Sequence, residues 1–417
     1  MARPLRWTRF GQVLYGTGSD EADATGAGPA GINLVGAIVT VQYGYAGNDT
    51  LSGIETPTNK LYGGSGNDIL DINFGSGSVY GGDGNDSIAG FFANDCLWGG
   101  TGRDTINGDY GDDCILGESF VDVLRGDDGN DKIEGGEDRD FIWGGFGSDI
   151  LHGGPDADVL DGDAQNDQLF GGEGGDELYG DAGDDVLLAS RLPSPPIAPW
   201  FATQEFAADT LYGGQGSDII YGGGGGMTAY GDGENDAFFS FRADTLYGGE
   251  GNDQFTIGRS GVQYQDNPGV LRALGHLGVD RFTFNDSGVV DCQLYGGAGN
   301  DQFQINRVGN SLSVGTFQGG QGADRFNINT PVVHEFRYQF ATDSPRSARD
   351  EFYVQSGLGN FVGIKIQLWD TAFNSTNFER RATWDPLRND LVFKDALNQQ
   401  LVINVPVNLR IYTELFV

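Results

Sequence analysis

Aspartate recurs at every ninth residue through the middle of the chain, and this spacing could give its carboxylates a common chemistry. Twelve consecutive repeats carry it in one register, at Asp86, Asp95, Asp104, Asp113, Asp122, Asp131, Asp140, Asp149, Asp158, Asp167, Asp176 and Asp185. Carboxylates held close together disfavour each other's ionisation. A hard divalent cation between them removes that repulsion, and Ca²⁺ in particular takes carboxylate and carbonyl oxygens in flexible geometry.

Glycine and an aliphatic residue keep the same nine-residue period. Glycine stands five residues before each aspartate, from Gly81 to Gly180, and an aliphatic residue stands two residues after it, from Ile88 to Leu187. Glycine at this frequency disfavours both a helix and a long strand. A six-residue turn followed by a three-residue strand fits the period, with the aliphatic side chain pointing inward. The sequence therefore predicts an all-β fold, a parallel β-roll or β-solenoid with two repeats in each 18-residue coil.

Stacking of these coils brings the aspartates together in two columns. Residues 18 apart are expected to lie about 4.7–4.9 Å from each other, so one column starts at Asp86 and the other at Asp95. Mg²⁺ demands near-ideal octahedral geometry, and Zn²⁺ prefers His and Cys, of which the chain has only three each. Multiple Ca²⁺ ions between successive coils are therefore expected.

The repeats resemble those of a known family. Residues 81–89, GGDGNDSIA, match the G-G-x-G-x-D-x-U-x unit of RTX, or haemolysin-type calcium-binding, proteins. The resemblance implies a parallel β-roll with calcium held between turns by the Asp carboxylate and backbone carbonyls. It carries the same role to the less regular repeats, at Asp49, Asp68, Asp218, Asp236, Asp253, Asp280, Asp301 and Asp324. The turns at 90–93 and 117–120 lack the fourth-position glycine, which puts calcium at Asp95 and Asp122 in question.

Changes in the repeat pattern predict five segments. Residues 1–43 are an N-terminal lead-in or cap, 44–188 a first repeat block and 189–208 a Pro-rich loop or hinge. Residues 209–330 form a second, wider repeat block, in which Phe replaces Leu or Ile at the inward position. Residues 331–417 have no nonapeptide but show alternating apolar residues, which predicts a β-rich C-terminal cap.

Charge and composition restrict the partners. The formal net charge is −36, of which residues 331–417 contribute −1, so the charge belongs to the repeats. Such an acidic chain is not expected to bind nucleic acid. No stretch approaches 18 apolar residues, so no transmembrane segment is expected. Cys96 and Cys114 lie 18 residues apart, and both a disulfide and a pair of free thiols fit that spacing.

Export and catalysis can be judged only from short motifs. The basic N-terminus has no apolar run behind it, and the last residues, Glu414–Val417, resemble the ending of type I secretion substrates. We therefore expect an extracellular or cell-surface protein exported by type I secretion. The sequence contains neither H-E-x-x-H nor G-x-S-x-G, so we do not expect an enzyme.

An outward column of the first block is aromatic. Tyr62, Tyr80 and Trp98 occupy the ninth position of alternate repeats. They fit either a ladder that stabilises the sheet or a face for self-assembly or for a cell-surface or protein partner. The leading functional hypothesis is a structural or adhesive calcium-binding solenoid that folds on calcium after export. The alternatives are a secreted enzyme with its site in 258–330 or the cap, and the binding subunit of a larger complex.

Overall fold

In a computed structural model of the chain, the described residues form 36 β-strands. The structure describes residues 12–15, 39–53, 58–73, 75–189, 208–222, 226–240, 244–258, 270–286, 291–307, 314–322, 324–329, 335–338, 349–354, 365–368, 382–385, 390–394 and 400–404. None of these described residues is helical. The predicted all-β class is confirmed.

The chain divides into two compact units. The first contains Met1–Phe201 with Ala207–Thr210, and the second contains Ala202–Phe206 with Leu211–Val417. Strand β19 (Asp209–Gln215) begins in the first unit and ends in the second.

The first unit is a solenoid of two parallel sheets whose strands alternate along the chain. Sheet one runs in the order β1 (Gln12–Tyr15), β2 (Val39–Ala46), β4 (Thr58–Ser65), β6 (Ser76–Asp83), β8 (Cys96–Thr101), β10 (Cys114–Ser119), β12 (Lys132–Glu137), β14 (Ile150–Pro155), β16 (Gln168–Glu173) and β18 (Val186–Leu188). Sheet two runs in the order β3 (Thr50–Ser52), β5 (Ile69–Asp71), β7 (Ser87–Ala89), β9 (Thr105–Tyr110), β11 (Val123–Asp128), β13 (Phe141–Phe146), β15 (Val159–Ala164) and β17 (Glu177–Ala182).

The nine-residue period explains this alternation. Ile115 of β10 is the register partner of Leu97 in β8 and of Ile133 in β12, so residues 18 apart stack directly. These side chains are fully buried and fill the space between the sheets. Each repeat contributes one strand to one sheet and the next repeat to the other, which confirms the predicted 18-residue coil of the β-roll.

The second unit repeats this plan. One parallel set runs in the order β20 (Ile219–Tyr221), β22 (Ala237–Ser240), β24 (Gln254–Ile257), β26 (Arg281–Asp286), β28 (Gln302–Arg307), β30 (Arg325–Asn329), β32 (Arg349–Val354) and β36 (Gln400–Asn404). The other runs in the order β21 (Met227–Gly233), β23 (Thr245–Glu250), β25 (Val270–Leu277), β27 (Asp291–Ala298), β29 (Val314–Gln321), β31 (Glu335–Tyr338) and β33 (Lys365–Leu368). Strands β34 (Ala382–Asp385) and β35 (Asp390–Lys394) add antiparallel pairs next to β36.

Phenylalanine fills one side of the core in the second unit. Phe238, Phe255, Phe282, Phe303 and Phe326 are fully buried and stack with ring centroids 4.4–4.8 Å apart. A second residue is buried two positions after several of these rings. Phe284 and Ile305, for example, are only 4% exposed. The core of this unit is therefore two side chains wide on that sheet.

Several sequence predictions fall on residues that the structure does not describe. The Pro-rich segment lies outside the described residues except at its ends, 189 and 208, and Glu414–Val417 lies outside them as well. Of the lead-in 1–43, only 12–15 and 39–43 are described. The segment boundaries therefore stay predictions.

Candidate metal centre: two aspartate ladders

The predicted aspartates form two hydrogen-bonded ladders, one at the turns that lead into each sheet. The Oδ1 atom of each aspartate accepts the backbone N–H of the aspartate one coil earlier, at 2.7–2.9 Å over Asp68–Asp176 and Asp95–Asp185. In the second unit the same bond links Asp218 through Asp236, Asp253, Asp280 and Asp301 to Asp324 at 2.9 Å. The structure thus places the twelve aspartates of the regular repeats in the two expected columns, and the same hydrogen bonds include the other eight predicted aspartates.

The other carboxylate oxygen is buried. All twenty predicted aspartates are at most 3% exposed. Among the described residues, Oδ2 has no hydrogen-bond donor at Asp49, Asp68, Asp86, Asp95, Asp104, Asp113, Asp122, Asp131, Asp140, Asp149, Asp158, Asp167, Asp176, Asp236, Asp253 and Asp280. A buried carboxylate oxygen without a donor is costly, since ionised groups lose most of their hydration on burial. The repetition of this feature fits a positively charged partner along each ladder.

The first glycine of each repeat leaves room beside that oxygen. At Gly90, an added Cβ would lie 2.6 Å from the carbonyl oxygen of Gly108 on the next coil and 2.8 Å from Oδ2 of Asp95. Any larger residue would therefore fill the space between a carboxylate and a carbonyl oxygen. Glycine is required here by the close approach of two oxygens, which form part of an oxygen-only donor set.

Burial controls the electrostatics of the ladders. Desolvation, with a smaller contribution from the charges of Asp104 and Asp140, raises the pKa of Asp122 to about 8, against the lowering effect of the backbone N–H of Asp104. The same causes raise the pKa of Asp86 to about 7 and of Asp236 to about 8. Without a cation, a large fraction of these carboxyls would be protonated at neutral pH.

The donor set fits Ca²⁺. Carboxylate and backbone carbonyl oxygens lie side by side at many rungs, for example beside Gly81, Gly90 and Gly99, and Ca²⁺ takes six to eight such ligands in flexible geometry. A divalent cation would compensate the charge of the buried carboxylates and occupy the space that glycine leaves. The assignment of individual aspartates as ligands stays a prediction.

The turns at 90–93 and 117–120 keep the geometry of the regular ones. Phe91 and Ala93 have φ of 69° and 74°, and Glu118 and Phe120 have φ of 80° and 76°, the left-handed region that glycine normally occupies. The turn conformation is therefore kept without glycine, and the residues that replace glycine adopt a strained left-handed backbone. Asp95 keeps the same buried Oδ2 as its neighbours in the column.

Sequence reasoning missed a second ladder of polar side chains. Asn48, Asn67 and Asn85 accept through Oδ1 the backbone N–H of the residue one coil later, at 2.9 Å. This direction is opposite to that of the aspartate ladder, so each turn is hydrogen-bonded to both neighbouring coils. The signal was the Asn that directly precedes Asp in many repeats.

Two further buried aspartates escaped the sequence analysis. Asp209 accepts the N–H of Asp176 at 3.1 Å, and Asp244 accepts the N–H of Met227 at 2.8 Å. Both begin the same peptide, DTLYGG, at 209–214 and 244–249, which is the signal that could have found them. Oδ2 of Asp244 accepts a hydrogen bond from the Ser240 hydroxyl, so this rung replaces a cation by a neutral donor.

Another acidic group lies outside the ladders. Asp161, Asp163 and Asp181 each place one carboxylate oxygen within 4.8 Å of the others. Burial raises the pKa of Asp161 to about 6, with the charges of the other two adding to it. Asp163 and Asp181 are exposed, in contrast to the ladder carboxylates.

Parallel coils, glycine turns and buried carboxylate columns define the protein as a calcium-binding β-roll. Comparison with protein families agrees: the RTX calcium-binding nonapeptide repeat model matches residues 58–79, 71–106, 90–124, 116–151, 152–187, 206–226, 241–258 and 293–304. The chain therefore carries RTX-type calcium-binding nonapeptide repeats, which confirms the predicted resemblance. A search of curated proteins found no match. Within the described residues, no helix has the length and hydropathy needed to cross a membrane.

Proposed function

We propose that the chain is a structural or adhesive component outside the cell that folds when its ladders bind calcium. The observation that carries this proposal is the set of buried carboxylates whose Oδ2 atoms lack a donor. In a calcium-poor compartment these groups repel one another and keep the repeats unfolded. Binding at many sites that exist only in the folded state would then make folding steep in calcium concentration.

Export by type I secretion is part of the proposal. RTX-repeat proteins typically leave the cell by this route, and a chain that stays unfolded at low calcium suits passage through a narrow channel. Calcium affinities on the order of 10⁻⁴–10⁻³ M are usual for extracellular modules. Folding would therefore follow export, since calcium is abundant outside the cell.

The aromatic column supports an assembly or docking role. Tyr43, Tyr62, Tyr80 and Trp98 stack on the outer side of sheet one, with centroids 4.9, 4.8 and 4.5 Å apart and nearly parallel rings. They are half-buried, so part of each ring faces outward. Flat aromatic surfaces of this kind are common at protein interfaces. The proposed role is non-catalytic, with this column as the contact surface.

Calcium titration of the full chain tests both parts of the proposal. Far-ultraviolet circular dichroism reports folding, and sedimentation velocity reports assembly. We expect a steep gain of β-structure on adding calcium, followed by larger species. Equal β-content with and without a chelator would contradict the folding mechanism.

A double variant tests the contact surface. Tyr80→Ser with Trp98→Ser should reduce assembly while the calcium midpoint changes little. Phe146→Ser is the matched control, because Phe146 is 66% exposed and does not belong to the column. A calcium-loaded monomer in the unmodified protein would contradict self-assembly, and unchanged assembly in the double variant would contradict the role of this column as its contact surface.

A further inference from the structure

Two cysteines face each other across neighbouring coils of the first unit. Cys96 in β8 and Cys114 in β10 are register partners in the parallel pair. Both are half-buried, and each thiol lies within hydrogen-bonding reach of the other. Register partners in adjacent strands have Cα atoms roughly 4.8 Å apart, inside the range of about 4.4–6.8 Å found in disulfides.

We propose that Cys96 and Cys114 form a disulfide that ties two successive coils together outside the cell. The two thiols lose two protons and two electrons and form one S–S bond. A small-molecule disulfide such as oxidised glutathione accepts the electrons: one cysteine thiolate attacks it to give a mixed disulfide, and the other displaces the second glutathione thiol. One oxidised glutathione is thereby reduced to two thiols.

The cysteine pair lies next to two rungs of an aspartate ladder, so a disulfide would stabilise the ladder there. Cys96 and Cys114 directly follow Asp95 and Asp113, two successive rungs of one aspartate ladder. The turn at 90–93, which leads into β8, contains Phe91 and Ala93 in the left-handed region. A bond between the coils would hold these two rungs together next to this turn, and it would restrict the unfolded chain.

The third cysteine provides an internal control. Cys292 is 2% exposed, and its register partners in β25 and β29 are Leu271 and Gly315. It therefore does not face another cysteine across the sheet, and a buried thiol reacts slowly with an external disulfide. Cys292→Ser should leave the proposed bond intact.

Peptide mapping of the oxidised protein tests the bond. The calcium-loaded full chain is treated with oxidised glutathione, the monomer is isolated on a non-reducing gel, and free thiols are alkylated before digestion with trypsin. Lys60, Arg103 and Arg125 place the two cysteines in separate peptides, 61–103 and 104–125. We expect these peptides to be linked in the unmodified protein and in Cys292→Ser.

Thermal unfolding adds a second measurement. The oxidised monomer should melt roughly 5–10 °C higher than the reduced one, and this difference should vanish in Cys96→Ser and in Cys114→Ser. Use of both single variants guards against misfolding of one of them. Separate alkylated peptides from the oxidised, folded monomer would overturn the proposal, as would a link that involves Cys292. A linked monomer without the thermal difference would refute the stabilising role.

Discussion

The two repeat blocks share their aspartate ladders but differ in charge and in core. Residues 44–188 contain 32 Asp and Glu against 5 Lys and Arg, a net charge of −27, whereas residues 209–330 contain 14 against 6, a net of −8. The first block packs Leu and Ile between its sheets, and the second packs a stack of Phe rings. The ladder geometry is thus constant, while the apolar contribution to folding varies.

This difference indicates how much apolar burial and calcium binding each contribute to the stability of the two blocks. Phe buries more apolar surface than Leu or Ile. Each additional Å² of buried apolar surface stabilises the folded state by roughly 25 cal/mol. The second block also carries less repulsion to overcome. We therefore expect the first block to depend more on calcium than the second, although both present the same buried carboxylates.

Calcium removal should produce the largest effect, and the two blocks should unfold at different calcium concentrations. Hydrogen–deuterium exchange on the full chain, followed at falling free calcium, should show peptides of 44–188 losing protection at a higher calcium concentration than peptides of 209–330. After full chelation the first block should exchange at the rate of an unfolded chain. Simultaneous loss at one calcium concentration would contradict the difference in calcium dependence.

Acidification in the absence of calcium should restore structure to both blocks. Burial raises the pKa of Asp95 and Asp158 in the first block and of Asp236 in the second to about 8, against 3.8 for an ordinary Asp. Between these values the folded state binds more protons than the unfolded one, so stability is present at low pH and is lost as pH rises through about 8.

Circular dichroism of the chelated protein at pH 5 and pH 9 measures this dependence. β-structure should be greater at pH 5, and the calcium midpoint should rise as pH falls, because protons compete with the cation. A calcium-saturated sample, in which cations replace the protons, should change much less over the same range. Equal spectra of the chelated protein at both pH values would show that the carboxyls are not desolvated as the structure requires.

Truncation of one ring in the Phe stack should destabilise the second block alone. Phe282 is fully buried between Phe255 and Phe303, with centroids 4.6 and 4.7 Å away. Phe282→Ala should cost about 3–5 kcal/mol through lost burial and a cavity. Exchange protection should fall in 209–330 and stay unchanged in 44–188. Phe146→Ala, at an exposed position, should change stability by less than about 0.5 kcal/mol.

Much of the fold was predictable because its period is strict. Glycine, aspartate and an aliphatic residue at fixed offsets indicate a turn and an inward position without any tertiary information, as Ile115 and Asp113 illustrate. The columns of aspartates follow from the same period. The predictability of the site therefore rests on repetition, since no single nonapeptide would justify a coil.

Positions that break the period were not predictable. Gly77 stands where an aspartate is expected, yet its backbone N–H donates to Oδ1 of Asp95 at 2.6 Å, so the ladder needs only a backbone donor there. Asp244 has no glycine five residues before it, yet it accepts the ladder hydrogen bond from Met227. Its other carboxylate oxygen, Oδ2, accepts a hydrogen bond from the Ser240 hydroxyl. These substitutions depend on neighbours one coil away, and local sequence carries little information about them.

The smallest predicted effect concerns a single rung, and its size should depend on calcium. Asp131 accepts the N–H of Asp113 at 2.7 Å through Oδ1, while its Oδ2 is buried without a donor. Asp131→Asn keeps the acceptor and removes the charge. With calcium the variant loses an anionic ligand, which should raise the calcium midpoint and cost about 1–3 kcal/mol. Without calcium, at low pH, the Asp131 carboxyl is already protonated because burial raises its pKa to about 7, so the neutral amide should match the unmodified protein in stability.

Two further variants separate charge from hydrogen bonding. Asp128→Asn makes the same charge change at an exposed position of the same coil and should have little effect with or without calcium. Asp131→Ala removes the acceptor as well and should destabilise the protein in both conditions, because the buried N–H of Asp113 loses its partner. Denaturant unfolding at saturating calcium and at low pH with a chelator measures all three. If Asp131→Asn lowered stability equally in both conditions, the rung would be a hydrogen-bonding element alone, and the charge of Asp131 would have no role in cation binding.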